Sequence, residues 1–331
     1  MARDARRSEA VFSERGFHDW LARRLGRPKH SLLPLGDDTA AVRVGGRRVA
    51  LLTTDAFVEG THFWKESPPR AVGAAVAAAS LSDLAAKGGE PVGLLLDLLL
   101  PARVARAWPR NIVLGAEAEA ARFGAHVIGG DTKQSPIRSV VGTMLGWGEA
   151  SRLPARSGAR PKDLLVTTGT VGRGGLAAAR LRGGQRTTEA ARHDLLRIQP
   201  RVREGSLLAK VAHAMIDTSD GIAEAGHLLS EASHCRLILR AESLPLEPGL
   251  RRPNRSEVAL WDAAFYGGDY ELLASVAPSS VPQLRRGLAA LGSPLTVVGT
   301  VARGRGAYLE VNGRLQPLPH AGWDPFGSPL G

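Results

Sequence analysis

The chain has 331 residues, 44% of them hydrophobic, and a formal net charge of +11, the composition of a globular protein long enough for two domains. No apolar run approaches the roughly 20 residues of a membrane-spanning helix, and the charged stretch from Met1 to Ala10 lacks a secretory signal's apolar segment, so a cytoplasmic protein with no membrane partner is expected. Only six of the 43 basic residues are lysines, the arginines are dispersed, and no zinc-finger spacing, RNP-like stretch or basic heptad occurs, which argues against a nucleic-acid partner.

In chain order, Val11, Phe12, Phe17, Trp20, Leu21 and Leu25 predict a short amphipathic helix stopped by Gly26. Ala40 to Val44 and Arg48 to Thr53 read as strands joined by a Gly45-Gly46 turn. Ser67-Pro68-Pro69 opens an Ala-rich helix from Arg70 to Lys87, with Gly88-Gly89 as its left-handed stop. Val92 to Leu100 suits a strand buried on both faces. A helix with Pro109 at its start and Gly124 at its end follows, then a strand over Ala125 to Ile128 leading into Gly129-Gly130-Asp131, and a strand over Ser139 to Trp147. This order predicts an α/β (α+β) domain, a mixed sheet with helices on one face, over residues 1–150.

The stretch Arg152 to Lys162, with Pro154, Gly158 and Pro161, marks the boundary to a second α/β domain over residues 151–331. Leu164 to Thr167 enters a glycine-rich turn, Gly169 to Gly175, that matches neither a P-loop nor a dinucleotide fingerprint and reads as a tight turn. Gly183 to Arg192 reads as a polar loop. Beyond it, a helix from Val202 and a strand over Ala214 to Ile216 lead into Asp217-Thr218-Ser219-Asp220-Gly221. Alternating helices and strands complete the chain, with a hairpin signal at Asn312-Gly313.

Carboxylates recur beside glycines at the ends of these elements: Asp37 and Asp38, Asp55, Asp83, Asp131, Asp217 and Asp220. Any one of them is explained as a turn or a helix cap, Asp220 in particular as the N-cap of the helix behind it. Asp83 falls in the last turns of its helix, where a carboxylate meets the negative end of the dipole, which favours a functional role. The chemistry that needs such a set is phosphoryl transfer between anions, where hard cations bridge and neutralise the reactants. Thr53, Thr54 and Ser219 offer neutral oxygens beside the carboxylates. The nine histidines show no ligand spacing and Cys235 reads as a core thiol, so Mg²⁺ or Ca²⁺ fits better than a soft metal.

Taken together and in order, Gly36-Asp37-Asp38-Thr39-Ala40, Thr53-Thr54-Asp55, Gly60-Thr61-His62-Phe63, Ser82-Asp83-Leu84-Ala85-Ala86, Gly129-Gly130-Asp131-Thr132, Arg156-Ser157-Gly158-Ala159, Asp217-Thr218-Ser219-Asp220-Gly221 and Asp269-Tyr270-Glu271-Leu272 form a specific set. On these motifs the sequence resembles the thiamine-monophosphate kinase family, in the superfamily that includes the aminoimidazole ribonucleotide synthetases. The resemblance spans nearly the whole chain. It implies ATP-dependent phosphorylation of thiamine monophosphate to thiamine diphosphate by direct in-line transfer. It also implies a homodimer in which the N-terminal sheets form a shared barrel.

By the matching motifs, Asp38, Thr53, Thr54, Asp55, Asp83, Asp131, Asp217 and Asp220 would hold Mg²⁺, with Asp38, Asp55, Asp83, Asp131 and Asp220 catalytic. Gly130, Asp131, Arg156 and Ser219 would contact ATP, and His62 and Trp323 the thiamine substrate. Three positions depart from the family pattern: Ser80 stands for an asparagine, Pro325 for a histidine, and Gly268 for a glutamate. Two other readings compete: a superfamily paralogue using ATP on another small phosphorylated or carboxylated molecule, and a non-enzymatic basic protein that binds polyanions.

Overall fold

The computed structural model describes residues 14–26, 29–182, 188–251, 256–323 and 326. Its N-terminal half contains α1 (Glu14–Leu25), β1 (Ala40–Gly45), β2 (Arg48–Val58), α2 (Pro69–Ala85), β3 (Glu90–Leu100), α3 (Ala107–Ala121), β4 (His126–Gln134) and β5 (Ser139–Glu149). The C-terminal half contains β6 (Leu164–Thr168), α4 (Arg173–Arg182), α5 (Thr188–Leu196), α6 (Val202–Leu208), β7 (Ala212–Asp217), α7 (Ile222–Ser233) and β8 (Arg236–Arg240). It continues through α8 (Glu257–Ala264), β9 (Leu272–Val276), α9 (Val281–Ala289), β10 (Leu295–Ala302), β11 (Ala307–Val311) and β12 (Arg314–Pro317). Val11, Phe12 and Pro325 lie outside the described residues. No helix among the described residues is long and apolar enough to cross a membrane.

The N-terminal strands form a five-stranded sheet in the order β1-β2-β5-β3-β4, antiparallel except for the parallel β3–β4 pair. Alternation along β2 sends Leu51, Thr53, Asp55 and Phe57 towards the helices and leaves Leu52, Thr54 and Ala56 exposed on the opposite face. The helix α2 lies on the inner face, where Ser80 on it reaches Asp55 on β2. It is buried all round rather than along one stripe, because α3 covers one flank and α6 and β7 of the C-terminal half cover another. Small side chains make this possible, since alanine lets neighbouring backbones approach closely.

The C-terminal strands form a seven-stranded mixed sheet in the order β12-β11-β8-β10-β6-β9-β7. One of its cores, built from Leu165, Ile216, Leu229, Leu237 and Phe265, packs under α7 and α8. The other is continuous with the core beneath the N-terminal sheet: Val76 and Leu84 on α2 belong to the same cluster as Leu208, Met215 and Leu272. The strand-to-strand link at residues 150–163 therefore crosses a shared apolar core.

Two local expectations change. The glycines after Ile128 do not end the strand, because β4 runs through them with a bulge opposite Leu94–Leu95. Gly130 sits at φ +148° with the Leu96 carbonyl where a Cβ would be, so only glycine permits this approach. The second part of the stretch expected to be a polar loop is instead α5, where Thr-Glu-Ala-Ala-Arg supplies good helix formers.

Candidate active site

Three elements bring aspartates to one place. The inward face of β2 carries Asp55, the C-terminal turns of α2 carry Asp83, and the end of β7 carries Asp217. Hydroxyls next to them aim the carboxylates. Thr53 donates to Asp83, Ser80 donates to Asp55 at 2.9 Å, and Ser82 and Ser219 donate to the two oxygens of Asp217 at 2.8 and 2.9 Å. Ser80, one of the three departures from the family pattern, is thus the residue that holds Asp55.

Crowding like charges in a buried place disfavours ionisation. Burial, helped by the Asp217 charge and opposed by the Ser80 hydrogen bond, pushes Asp55 up to about 6. Burial and then the Asp38 charge push Asp217 up to about 6. Burial and the charges of Asp55, Asp217 and Asp38 drive Asp83 well above the usual carboxylate range. Asp220 is raised as well, by its crowded surroundings and then by Asp217, although the residue is exposed to the cleft and water there screens the effect. Asp220 is not the helix cap that its position suggests: α7 starts from Gly221 without a side-chain cap.

Asp37 and Asp38 are held differently. The ammonium of Lys87, fully buried just beyond α2, lies 2.6 Å from Asp37 and 2.7 Å from Asp38 and also donates to the carbonyls of Pro154 and Met215. Arg156 grips Asp38 through Nε and Nη2 at 3.0 and 2.5 Å and the Gly36 carbonyl through Nη1 at 2.5 Å. Burial by itself would raise Asp38, but the Arg156 and Lys87 charges outweigh it and hold Asp38 below the usual range. Arg156, expected to reach a nucleotide, spends its guanidinium on this loop.

Beside the aspartates opens a cavity of about 280 Å³. Asp55, Ser219 and Asp220 line its acidic end, and Phe57, His62, Tyr266 and Trp323 form aromatic walls. The His62 ring lies 5.1 Å from Phe57 and 6.0 Å from Trp323, centre to centre, and Tyr266 lies 5.9 Å from Trp323. The His62 Nδ1 accepts from the Val58 amide at 3.2 Å, and burial lowers its basicity, so the neutral ring presents Nε2–H. Gly268 lines the same cavity at φ +77°, a left-handed conformation that any side chain would strain. Glu271, close by in sequence, is committed to Arg201 through two bonds at 2.7 and 2.5 Å.

Thr54, Gly130 and Asp131 do not join this group within one chain. Thr54 points to the bare face of the sheet, where it bonds Thr143 at 3.0 Å. Asp131 is exposed on the edge strand β4, three strands from β2, at a spacing of roughly 14 Å. Its carboxylate accepts from Lys133 at 3.0 Å and its amide donates to Asp97 at 2.7 Å. The glycine-rich turn after β6 is structural: the amides of Gly172 and Gly174 donate to buried Asp269 at 2.7 and 3.1 Å, which takes the position an anion would need. Residues missed in the sequence include Lys87, Phe57 and Tyr266. For Phe57 a signal was available, since it shares the inward parity of Asp55.

The donor set suits a hard divalent cation. Asp217 raises Asp55, both raise Asp83, and the three have no Lys or Arg ion-pair partner among the described residues and are ringed by hydroxyls. No three acidic or histidine side chains among the described residues already converge as a finished metal cage, since each carboxylate is turned towards its own hydroxyl.

Residues 36–147 match the family model for the AIR synthase related protein, N-terminal domain. Thiamine-monophosphate kinase of Escherichia coli (strain K12) is 33% identical over 309 residues, covering 90% of this chain and 93% of that protein. The structure of thiamine-monophosphate kinase from Stenotrophomonas maltophilia K279a superposes with a TM-score of 0.74 at 30% identity, over 90% of this chain and 96% of that one. AaThiL, solved as a complex with AMPPCP and TMP, superposes with a TM-score of 0.79 at 28% identity, over 94% of this chain and 96% of that one. A similarity of this level along almost the whole chain, together with the shared fold, means that the chain belongs to the thiamine-monophosphate kinase family.

Proposed function

We propose that this chain transfers the terminal phosphoryl group of ATP to thiamine monophosphate, giving thiamine diphosphate and ADP. The observation that carries the reading is the junction of two unlike surfaces: a buried aspartate group opens directly into an aromatic-walled cavity. A flat, cationic ring system suits those walls by stacking and cation–π attraction, while its phosphate meets the acidic end only if cations intervene. Mg²⁺ held by Asp55, Asp83, Asp217 and Asp220 would neutralise the charge shared by donor and acceptor phosphates.

The chain's own residues do the rest. Ser80, Ser82 and Thr53 orient the carboxylates, the aromatic side chains exclude water from the ring end, and the neutral His62 offers an N–H donor to the acceptor. The acceptor is itself a phosphate, already ionised at neutral pH, so no general base is needed to activate it and direct in-line attack suffices.

The reading includes a homodimer. Among the described residues, the sheet face opposite α2 and α3 is left open, with Leu52 and Leu95 both about 40% exposed there. Pairing two such faces would cover them and would bring Thr54, Gly130 and Asp131 of one chain towards the nucleotide site of another. Sedimentation should then give about 70 kDa, twice the 35.0 kDa chain mass.

The activity test is release of ADP in Mg²⁺ with thiamine monophosphate, with thiamine, and with no acceptor. We expect release that depends on thiamine monophosphate. Release independent of any acceptor, or dependent only on a different phosphorylated molecule, would move the chain to a paralogous reaction.

A further inference from the structure

Each carboxylate oxygen of the Asp37–Asp38 pair faces a partner within the chain. Asp38 gives one oxygen to Arg156, at 3.0 and 2.5 Å, and the other lies 2.7 Å from the Lys87 ammonium, a buried ion pair in which this oxygen accepts no hydrogen bond. Asp37 gives one oxygen to Lys87 at 2.6 Å and to the Asp38 amide at 2.9 Å, and the other to the Arg156 amide at 3.1 Å. Two cations thus face two carboxylates, and the Lys87, Asp37 and Asp38 side chains are 0% exposed. The contrast with Asp55, Asp83 and Asp217 is chemical: there the partners are hydroxyls, which neutralise nothing.

A divalent ion on Asp38 would have to share one oxygen with the Lys87 charge or displace Arg156 from the other. It would then stand beside an ammonium in a place where water cannot screen the repulsion. Lys87 cannot withdraw cheaply either, since it also ties the carbonyls of Pro154 and Met215 and so joins the loop before β1 to the link after β5 and to β7.

We propose that Lys87 is an internal cation that takes the place of a divalent metal at Asp38, so that metals in this chain sit only on the Asp55, Asp83 and Asp217 side of the cleft. Asp38 is then a positioning residue, not a metal ligand, which corrects the role its motif implies. The proposal rests on reading the site as a divalent-metal nucleotide site.

The test is to locate Mn²⁺ by its anomalous scattering in crystals of the parent grown with AMPPCP. The expected result is Mn²⁺ coordinated by Asp55, Asp83 or Asp217 and none within about 2.5 Å of an Asp38 oxygen, hard-cation distances to oxygen being about 2.0–2.6 Å. Mn²⁺ on Asp38 in the parent overturns the proposal. In solution, titration followed by the paramagnetic resonance of free Mn²⁺ should show Lys87→Met binding one more ion per chain than the parent. Its melting temperature should also rise more steeply with Mn²⁺. An unchanged ion count in folded Lys87→Met identifies Lys87 as a structural clamp alone and overturns the proposal. Should that variant not fold, the parent crystals decide the question. Mn²⁺ absent from every aspartate overturns the metal reading of the site, and this proposal with it, and is distinct from either outcome above.

Discussion

Asp38 and Asp83 lie in the same buried neighbourhood, yet their carboxyl groups are pushed in opposite directions, Asp38 down and Asp83 up. Burial acts on both in the same sense. The difference is the company: Arg156 and Lys87 stand against Asp38, whereas Asp83 meets one hydroxyl and the charges of three other aspartates. A buried carboxylate with its own cation is part of the framework, and one without is a vacancy in charge that a ligand can fill. The comparison separates the aspartates that a buried cation compensates from those that none does, which sequence alone could not do.

The sharpest way to test the contrast is to remove one charge from each group. Asp83→Asn should lower turnover a hundredfold to a thousandfold, the scale expected when a preorganised electrostatic group is lost. It should also raise the melting temperature of the metal-free protein at neutral pH, because burial and the neighbouring charges hold this carboxyl back from an ionisation that unfolding releases. Asp37→Asn should do the reverse to stability and lose on the order of 3–5 kcal/mol, because Lys87 keeps only one carboxylate in a dry site. Thermal melts and steady-state rates on both variants suffice, and equal destabilisation by the two would erase the distinction.

A second test uses pH. Asp55 and Asp217 titrate near 6 in the folded state, above their unfolded value of 3.8. Groups raised in this way favour the folded protein below about pH 4 and cost stability as pH rises through 6. Metal binding must compete with those protons. Mg²⁺ should therefore raise the melting temperature little at pH 5 and by several °C at pH 7.5. A Mg²⁺ shift of the same size at both pH values would mean that these aspartates do not receive the metal.

The smallest expected effect comes from the hydroxyls that aim the carboxylates. Ser82→Ala leaves one oxygen of Asp217 without its donor at 2.8 Å and should weaken Mg²⁺ about tenfold, as is usual for groups that orient a ligand. Calorimetric titration in the presence of AMPPCP measures it. Unchanged affinity would show that Asp217 is placed by β7 alone.

Much of this was legible in the chain. The Pro-Pro opening and Gly-Gly stop bounded α2 to within two residues, because caps are local chemistry. The motifs in order pointed to the family, and Asp55, Asp83 and Asp217 were all named as candidates. The apolar parity of β2 already separates Asp55 from Thr54, since side chains on a strand alternate. Gly130 and Asp131 read as a turn because glycine pairs usually end strands, whereas a bulge here carries the strand through them.

What the sequence by itself determined, then, was the set of acidic residues, the order of elements and the class of chemistry, all of which depend on residue type and short spacing. Which carboxylates are compensated was decided only by tertiary structure. Lys87 meets Asp37 and Asp38 across about 50 residues, and it meets Met215 across 128. Arg156 reaches Asp38 from 118 residues away. Such pairings have no periodic or local signature. They arise because α2 is sandwiched between the two halves of the molecule, which places a lysine at its end in a closed core where the loop before β1, the link after β5 and β7 all converge.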